Sequence, residues 1–235
     1  AYRFSYNRPN GSPKGISHGV VSSFMEDKKG NLWVGTEGGG LNYWDRREGT
    51  FTHYKHKTGQ ATGLSGNNVK IIYGGEDSLW IGTFASGLNL FHIKSGKWEY
   101  FRNQRGSIPS LSHNNVYDLL EKDGHLWIAT YGGGINRLNL RTKQFSVSQH
   151  QFDDTTSLSS NLTRVLIQDK NQNIWVGSNR GLDRVDIQPD GSLHFTHFLK
   201  DRMICSMIEA RDGTLWVGTY QEGVWVLDKN RQTVH

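Results

Sequence analysis

The chain has 235 residues, 21% of them charged, and its formal net charge is +5. This length can bury a sizeable core in one or two domains. Basic residues are scattered singly or in short pairs such as Lys28-Lys29 and carry no recognised motif, so we expect no nucleic-acid partner. No run of eighteen apolar residues occurs, and we predict no membrane span in this chain.

The first predicted element is an outer strand at Arg3–Tyr6. It stands ten residues before Ile16, as Phe51–Tyr54 stands ten residues before Leu64. The opening residues include neither an initiator methionine nor the basic-then-apolar profile of a signal peptide. We therefore expect the chain to be trimmed at its start.

One six-residue motif then recurs five times, which indicates a repeat architecture. Its copies are Asn31–Thr36, Ser78–Thr83, His125–Thr130, Asn173–Ser178 and Thr214–Thr219. The copies centre on Trp33, Trp80, Trp127, Trp175 and Trp216, which are 47, 47, 48 and 41 residues apart. This spacing matches a four-stranded blade, so the sequence predicts an all-β fold, a β-propeller with five blades in this chain. We expect residues 1–235 to form a single propeller domain or segment.

Each repeat is predicted to contain four short strands, A to D, without helical periodicity. In the third repeat they are Val116–Leu120, His125–Thr130, Gly134–Leu140 and Gln144–Ser148. The turn Lys122-Asp123-Gly124 between A and B favours an up-and-down antiparallel sheet. Both faces of such a sheet are apolar, so we expect each repeated tryptophan to be buried between blades, with the neighbouring glycine or alanine leaving room for it.

A glycine-rich turn joins strand B to strand C, as in Glu37–Asn42 and Tyr131–Asn136. Glycines at one place in successive blades are typical of a tight turn with positive φ. A phosphate-binding loop is excluded because neither a Gly-Lys-Ser/Thr motif nor a following helix is present.

The combination of Leu-Ser-x-Asn before strand A, Leu-Trp-Val-Gly-Thr in strand B and Gly-Gly-Leu-Asn after it resembles the two-component regulator propeller repeat. Leu111–Asn139 and Gly30–Asp45 carry this resemblance best. The fourth and fifth repeats depart from it. Asn179-Arg180-Gly181 shortens the B-to-C turn, and Phe198–Asp201 replaces Leu-Ser-x-Asn.

Proteins of that family carry these blades in the periplasmic part of sensor histidine kinases, often hybrid kinases that regulate the use of complex glycans. The resemblance implies a non-catalytic, extracytoplasmic sensor segment of an inner-membrane protein that detects an oligosaccharide. The remainder of the parent kinase would be its covalent partner, and a second copy in a dimer is a further candidate. The chain itself contains no phosphoacceptor, nucleotide-binding or receiver motif. We expect no cofactor.

Two arrangements of the blades stay open. The predicted strand at Arg3–Tyr6 either completes the fifth blade and closes a ring, or belongs to a preceding blade and makes this chain an arc of a larger propeller. Propellers of four to eight blades exist, so the blade count does not decide between them.

Ligand contacts are expected on the face that carries the B-to-C turns and the D-to-A connections. The B-to-C positions hold Glu37, Phe84, Tyr131, Arg180 and Tyr220. An aromatic ring beside an arginine suits a sugar, because the ring covers the apolar face of a pyranose and the guanidinium binds its oxygens. The alternative is that these residues pack on one another at the rim. His113 and Asn161 precede inner strands and would either contact ligand or cap turns.

One position of the inner strands is predicted to hold Ser23, Ile71, Asp118, Arg164 and Ser206. Asp118 and Arg164 would line a central channel or pair with each other between blades. The ten histidines are dispersed, so we predict no metal site. Cys205 is the only cysteine and is expected to be a small buried residue.

Two other functions stay open. Virginiamycin lyase and related propellers also repeat a Gly-Asn-Leu/Ile-Trp element, although no acid–base pair recurs here at a plausible site. A protein-interaction scaffold is the other alternative. For a sensor, the net charge and the position of Arg180 favour an acidic or sulfated oligosaccharide. Arg180→Ala is then expected to lower its affinity and flatten its salt dependence.

Overall fold

The computed structural model describes residues 7–60, 62–104, 106 and 110–234, with only the backbone for 233 and 234. The described residues form twenty β-strands in five four-stranded antiparallel sheets, and no helix. In every sheet the strands are hydrogen-bonded in chain order, as in an up-and-down propeller blade. The all-β, five-blade prediction is confirmed, whereas the strand predicted at Arg3–Tyr6 lies outside the described residues. None of the described residues belongs to a helix long and apolar enough to cross a bilayer.

Internal contacts divide the chain into two compact units. The first comprises Ala1–Asn103 and Asn114–Val116, and it contains two blades. The strands of the first blade are β1 (Val21–Glu26), β2 (Leu32–Thr36), β3 (Gly40–Asp45) and β4 (Thr50–Tyr54). Those of the second blade are β5 (Val69–Gly74), β6 (Ser78–Thr83), β7 (Leu88–His92) and β8 (Lys97–Phe101).

The second unit comprises Gln104–His113 and Tyr117–His235. The strands of the third blade are β9 (Val116–Lys122), β10 (His125–Thr130), β11 (Gly134–Asn139) and β12 (Phe145–Ser148). Those of the fourth blade are β13 (Thr163–Gln168), β14 (Ile174–Ser178), β15 (Gly181–Ile187) and β16 (Leu193–Phe198). The fifth blade contains β17 (Ile204–Glu209), β18 (Leu215–Thr219), β19 (Val224–Leu227) and β20 (Thr233–Val234).

The A-to-B and B-to-C turns of the third blade have the backbone conformations that the sequence predicts. Between β9 and β10, Asp123 and Gly124 have φ angles of 50° and 71°, the left-handed conformation of a tight hairpin turn. In the B-to-C turn of the third blade, Gly132 and Gly134 have φ angles of 122° and 72°. A Cβ at position 134 would stand 2.4 Å from the Ser148 carbonyl oxygen, so only glycine fits there.

Within each unit, the tryptophan of the repeat packs against the blade that follows it. Trp33 lies in a cluster with Ile72 and Phe91 of the second blade, and Trp127 in one with Val176 of the fourth. Trp175 lies in a similar cluster with Val217 of the fifth blade. The core is therefore a series of apolar layers between sheets.

Trp216 is the exception, and the prediction that every repeat tryptophan is buried is wrong for it. Its side chain is 46% exposed, whereas that of Trp127 is 2% exposed. Ile208 and Val224 of the same blade are exposed as well. Trp216 belongs to the last blade of the chain, and none of the described residues covers it in the way that a following blade covers Trp33, Trp127 and Trp175.

In four of the five repeats a glycine stands two residues after the tryptophan, and it makes room for inner strands rather than for the indole ring. A Cβ at Gly35 would stand 2.4 Å from Ser23 Oγ of its own blade and 2.7 Å from Val69 of the next. At Gly177 it would meet Val165 at 2.5 Å and Ile204 of the next blade at 2.6 Å. Since such distances do not occur between real side chains, these glycines set how closely inner strands approach.

Candidate functional site

A β-bulge lies at the start of strand A in each of the four blades whose A-to-B register is described. The inserted residues are Ser22, Lys70, Arg164 and Cys205. A bulge re-aims a side chain at the rim of a sheet, and two of these side chains reach B-to-C turns. The prediction that Arg164 shares the inner position of Ser23 is therefore wrong. Val165 faces Gly177 as Ser23 faces Gly35.

In the first unit, the bulge residue Lys70 joins two predicted site residues. Its ammonium nitrogen donates to a carboxylate oxygen of Glu37 at 2.7 Å and lies 5.9 Å from the centre of the Phe84 ring. The backbone N–H of Glu37 and that of Phe84 bond to Val20 and Asn68 respectively. Glu37 and Phe84 thus come together across the first two blades, and the cation between them was missed by the sequence analysis.

In the second unit, Arg164 and Tyr131 come together with two residues that the sequence analysis did not single out. Tyr117 of β9 and Tyr131 are stacked, with ring centres 5.2 Å apart and an interplanar angle of 27°. The Arg164 guanidinium carbon lies 4.9 Å from the centre of the Tyr131 ring and 5.7 Å from that of Tyr117. Asn179 completes the group, which we call the Arg164 cluster: Tyr117, Tyr131, Arg164 and Asn179.

Asn179 fixes the orientation of the guanidinium. Its side-chain oxygen accepts a bond of 2.7 Å from Arg164 Nε, and its amide nitrogen donates to the Tyr131 hydroxyl at 3.2 Å. The two terminal nitrogens of Arg164 hydrogen-bond to none of the described residues, and no described carboxylate pairs with them. An oriented guanidinium with both amino groups available is suited to a carboxylate or sulfate ligand.

Arg180 and Tyr220 take no part in the Arg164 cluster. The Arg180 side chain is 65% exposed, and its only ion pair among the described residues is with Asp201 at 3.4 Å. The ring of Tyr220 is exposed, and its backbone N–H bonds to the Met203 carbonyl. Both residues lie at the rim, as expected for the B-to-C turns of the last two blades.

Asn161 caps a turn. Its carbonyl accepts bonds from the N–H groups of Gly132 and Gly134, and its side-chain oxygen accepts a bond of 2.8 Å from the backbone N–H of His150. The His113 ring lies against the same turn, because a Cβ at Gly132 would stand 3.0 Å from it. These contacts favour the turn-capping interpretation of both residues.

Asp118 does not pair with Arg164. Its carboxylate accepts bonds of 2.8 Å from the backbone N–H of Leu119 and from that of Leu166 in the next blade. Burial raises the pKa of Asp118 to about 6, although the two N–H donors lower it. The inner strands of the third and fourth blades are thus joined through a carboxyl that changes charge near neutral pH.

A serine, a histidine and an aspartate meet in the fourth blade. Ser159 Oγ lies 2.5 Å from Asp183 Oδ1 and 3.0 Å from His197 Nδ1, which is itself 2.6 Å from the same Asp183 oxygen. The other ring nitrogen of His197 is 2.8 Å from the Thr155 carbonyl. Both ring nitrogens are therefore occupied, and the serine shares Nδ1 with the aspartate. A nucleophilic triad needs the serine and the aspartate on opposite ring nitrogens. These three residues therefore form a structural hydrogen-bond network and not a catalytic triad.

The remaining candidates give no chemistry of their own. Within the part of the chain that the structure describes, no three His, Cys, Asp or Glu side chains are placed to hold a metal ion. Cys205 is exposed, so the expectation that it is buried is wrong. The bulge in β17 turns its side chain away from the core.

Comparison with protein families identifies the repeat. A family model described as two component regulator propeller matches four stretches of the chain, residues 15–38, 110–132, 157–180 and 199–221. They run from the segment before strand A to the B-to-C turn of the first, third, fourth and fifth blades. The last two blades are matched although their sequences depart from the pattern. No curated protein sequence matches the chain.

Solved structures share the fold. The extracellular domain of the putative hybrid two component system BT4673 from B. thetaiotaomicron has a TM-score of 0.73 and 23% identity, over 98% of this chain and 31% of that one. For the corresponding domain of BT3049 the TM-score is 0.57 and the identity 22%, over 92% of this chain and 34% of that one. This chain therefore spans about a third of the length of these structures.

This chain is also similar to an enzyme that has a β-propeller fold. Virginiamycin B lyase from Staphylococcus aureus has a TM-score of 0.65 and 13% identity, over 92% of this chain and 69% of that one. At such identities the likeness establishes the fold and not the activity. The family match agrees with the motifs of the blades. Four of the five blades thus match the two component regulator propeller repeat.

Proposed function

We propose that this chain is a non-catalytic sensor segment that binds an acidic oligosaccharide through the Arg164 cluster. The family match and the similarity to extracellular domains of two-component systems support a sensor-domain role. We infer the class of ligand from the environment of Arg164. Asn179 holds its guanidinium beside Tyr131, while both of its terminal nitrogens lack a partner among the described residues.

The chemistry of the cluster explains why an acidic sugar fits it. A guanidinium binds carboxylate or sulfate through two parallel hydrogen bonds, and aromatic rings next to it cover the apolar face of a pyranose. Because Nε is already bonded to Asn179, the terminal nitrogens are pre-oriented and lose little freedom on binding. A neutral sugar would gain the aromatic contact without the charged one.

The proposed setting is the periplasm. The chain would lie in the extracytoplasmic part of an inner-membrane sensor histidine kinase, and ligand binding would be transmitted to the kinase through the rest of that protein. The similar structures from two-component systems are extracellular domains, which supports this location. A second copy of the chain in a dimer is part of the proposal, because paired kinases give a route for the signal.

A thermal-shift screen tests the proposal. The chain is mixed with tetrasaccharides of matched length that are sulfated, uronate-containing or neutral, and the shift in melting temperature is measured for wild type and Arg164→Gln. We expect sulfated or uronate-containing sugars to stabilise the wild type and not the variant. The sequence placed the charged contact at Arg180, whereas the structure leads us to propose it for Arg164. Arg180→Gln is therefore the matched control, since its guanidinium is already paired with Asp201. Stabilisation of both variants to the wild-type extent would contradict the proposal.

The same samples separate sensing from the two alternatives. Mass spectrometry of the sugars after incubation detects turnover, which would favour a lyase of the kind that shares this fold. Binding of another protein without any sugar response would favour a scaffold. We expect unchanged sugars and a saturable response.

A further inference from the structure

A cavity of about 340 Å³ opens between the first and second blades, at the end of the strands opposite the B-to-C turns. We call it the first interblade cavity. Trp33, Tyr43 and Tyr54 form its aromatic wall, and the turns between strands A and B bring Asp27 and Glu76 to it. Its volume lies at the lower end of the range for small-molecule sites.

The corresponding gap between the fourth and fifth blades is filled by a guanidinium of the chain itself. The Arg231 guanidinium carbon lies 5.4 Å from the centre of the Trp175 ring. Its terminal nitrogen donates to Asp169 at 2.6 Å and to Glu209 at 2.9 Å. The three groups are almost completely buried, so this gap is built to hold a planar cation.

A guanidinium also fills the gap between the third and fourth blades. The Arg137 guanidinium carbon lies 5.8 Å from the centre of the Trp127 ring, and its terminal nitrogen donates to the Gly191 carbonyl at 3.3 Å. In both gaps that the second unit contains, an arginine thus covers the tryptophan of the repeat.

The first gap has the same carboxylate but no arginine. Asp27 precedes Trp33 by six residues, as Asp169 precedes Trp175. Both aspartates accept bonds from the asparagine four residues later, Asn31 in the first blade. Burial raises the pKa of Asp27, but bonds from Asn31, Lys29 and Tyr43 outweigh it and hold that pKa below its ordinary value, so the carboxylate stays charged.

The sequence of the second blade explains why this gap is open. Arg231 follows the tryptophan of its own blade by fifteen residues, and the residue at that distance after Trp80 is Ser95. No described arginine lies over Trp33. Tyr43 takes the cross-strand position that Arg137 has beside Trp127, and its hydroxyl donates to Asp27 at 3.1 Å. The indole N–H of Trp33 donates to none of the described residues. The indole N–H of Trp175, in contrast, donates to Asp169 at 2.9 Å.

We propose that the first interblade cavity binds a guanidinium group supplied by a ligand, in the way that the gap between the fourth and fifth blades binds Arg231. Asp27 and Glu76 would provide the negative charge, and the partly exposed rings of Tyr43 and Tyr54 would provide the cation–π contact. Three cations lie close to these carboxylates. Lys28 is ion-paired with Glu76 at 3.7 Å. Lys94 is paired with Asp77 at 2.6 Å, whereas the ammonium of Lys29 forms no ion pair with any described residue and opposes the incoming charge.

Calorimetry with two guanidinium probes tests the proposal on the whole chain. Nα-acetyl-arginine amide represents an arginine side chain of a peptide, and ethylguanidine represents a free guanidine. Nα-acetyl-citrulline amide, which is neutral and nearly isosteric, is the ligand control. We expect saturable binding of the arginine probe and at least tenfold weaker binding of citrulline. Binding of ethylguanidine as well would assign the affinity to the head group alone, and its failure to bind would assign a share to the peptide backbone.

Charge variants decide whether the cavity is the site and whether its ligand is a cation. Asp27→Asn and Glu76→Gln should each weaken binding at least fivefold, and Lys29→Gln should strengthen it. Glu48→Gln, on an exposed turn of the first blade that does not line the cavity, should change nothing. Circular dichroism checks that each variant is folded. If Asp27→Asn does not fold, Glu76→Gln still tests the site. Weaker binding in Lys29→Gln, equal binding of citrulline or the absence of saturable binding would overturn the proposal.

Discussion

The guanidinium carbon of Arg164 lies 4.9 Å from the centre of the Tyr131 ring, across the boundary between the third and fourth blades. Arg164 is the inserted residue of a β-bulge, and Tyr131 begins the B-to-C turn of the preceding blade. Two blades therefore build the proposed binding surface, in which we expect the ring and the charge to have separate roles.

Replacing the ring should remove the part of the affinity that does not depend on salt. For Tyr131→Leu we expect acidic oligosaccharide to bind roughly two- to tenfold more weakly, since stacking on an aromatic ring contributes about 0.5–1.5 kcal/mol. The slope of affinity against ionic strength should stay as in wild type, because Arg164 remains. Tyr220→Leu, also at a B-to-C turn but outside the Arg164 cluster, is the control. Calorimetry at two salt concentrations measures both quantities.

The two environments of the repeat tryptophan give a stability prediction. Trp127→Ala should lower the free energy of unfolding by about 3–5 kcal/mol, because rigid sheets on both sides cannot fill the cavity. Trp216→Ala should cost less than half as much, since that side chain is 46% exposed. Urea unfolding followed by circular dichroism gives both values. Equal losses would show that Trp216 is buried in solution.

Asp118 predicts a pH dependence of stability. Its pKa is about 6 in the folded chain against a reference value of 3.8, so the folded state holds the proton more tightly. The free energy of unfolding should therefore fall as pH rises from about 4 to about 6, by on the order of 1–3 kcal/mol from this group. The quantity to measure is the difference between wild type and Asp118→Asn, because that difference isolates this carboxyl from every other group. If that difference is the same at pH 4.5 and pH 7.5, the raised pKa is wrong.

Asp169 predicts the opposite dependence in acid. Burial raises its pKa, but hydrogen bonds from Asn173, Trp175 and Arg231 outweigh it and lower the pKa below 3.8. The stability that the carboxylate contributes is then present above about pH 4 and lost as pH falls further. Asp169→Asn should cost about 1.5–3 kcal/mol at pH 7 and progressively less as the pH is lowered below about 4.

Urea unfolding at pH 7 and below about pH 4 makes that comparison. Asp201→Asn is the control, since its carboxylate is mostly exposed and forms a single pair with Arg180. A cost for Asp169→Asn that does not diminish in acid would place the stabilisation in packing and not in the charge.

The blades could be predicted from the sequence because their signals are local. The spacing of tryptophans fixed the blade size, and polar turns such as Asp123-Gly124 bounded the strands of the third blade to within two residues. The burial of Trp216 was predicted wrongly because burial depends on what covers a blade, and the repeat motif is the same in covered and uncovered blades.

The site was only partly predictable, because the sequence does not show where a β-bulge shifts the register of a strand. Tyr131 and the arginine could be named from the turn and strand patterns, but an insertion of one residue moves a side chain to the other face of a strand. The bulge at Arg164 therefore turned an expected channel residue into a neighbour of Tyr131. Tyr117 and Asn179 join through contacts between blades, which no spacing along the chain reveals.

Calorimetry of a sulfated tetrasaccharide at low and physiological salt, with wild type, Arg164→Gln and Arg180→Gln, tests the sensing account most directly. We predict that affinity for wild type falls as salt rises, because screening over about 8 Å weakens an exposed charge contact. Arg164→Gln should bind at least tenfold more weakly at low salt and show little salt dependence, and Arg180→Gln should resemble wild type. Unchanged affinity and unchanged salt dependence in Arg164→Gln would contradict the account.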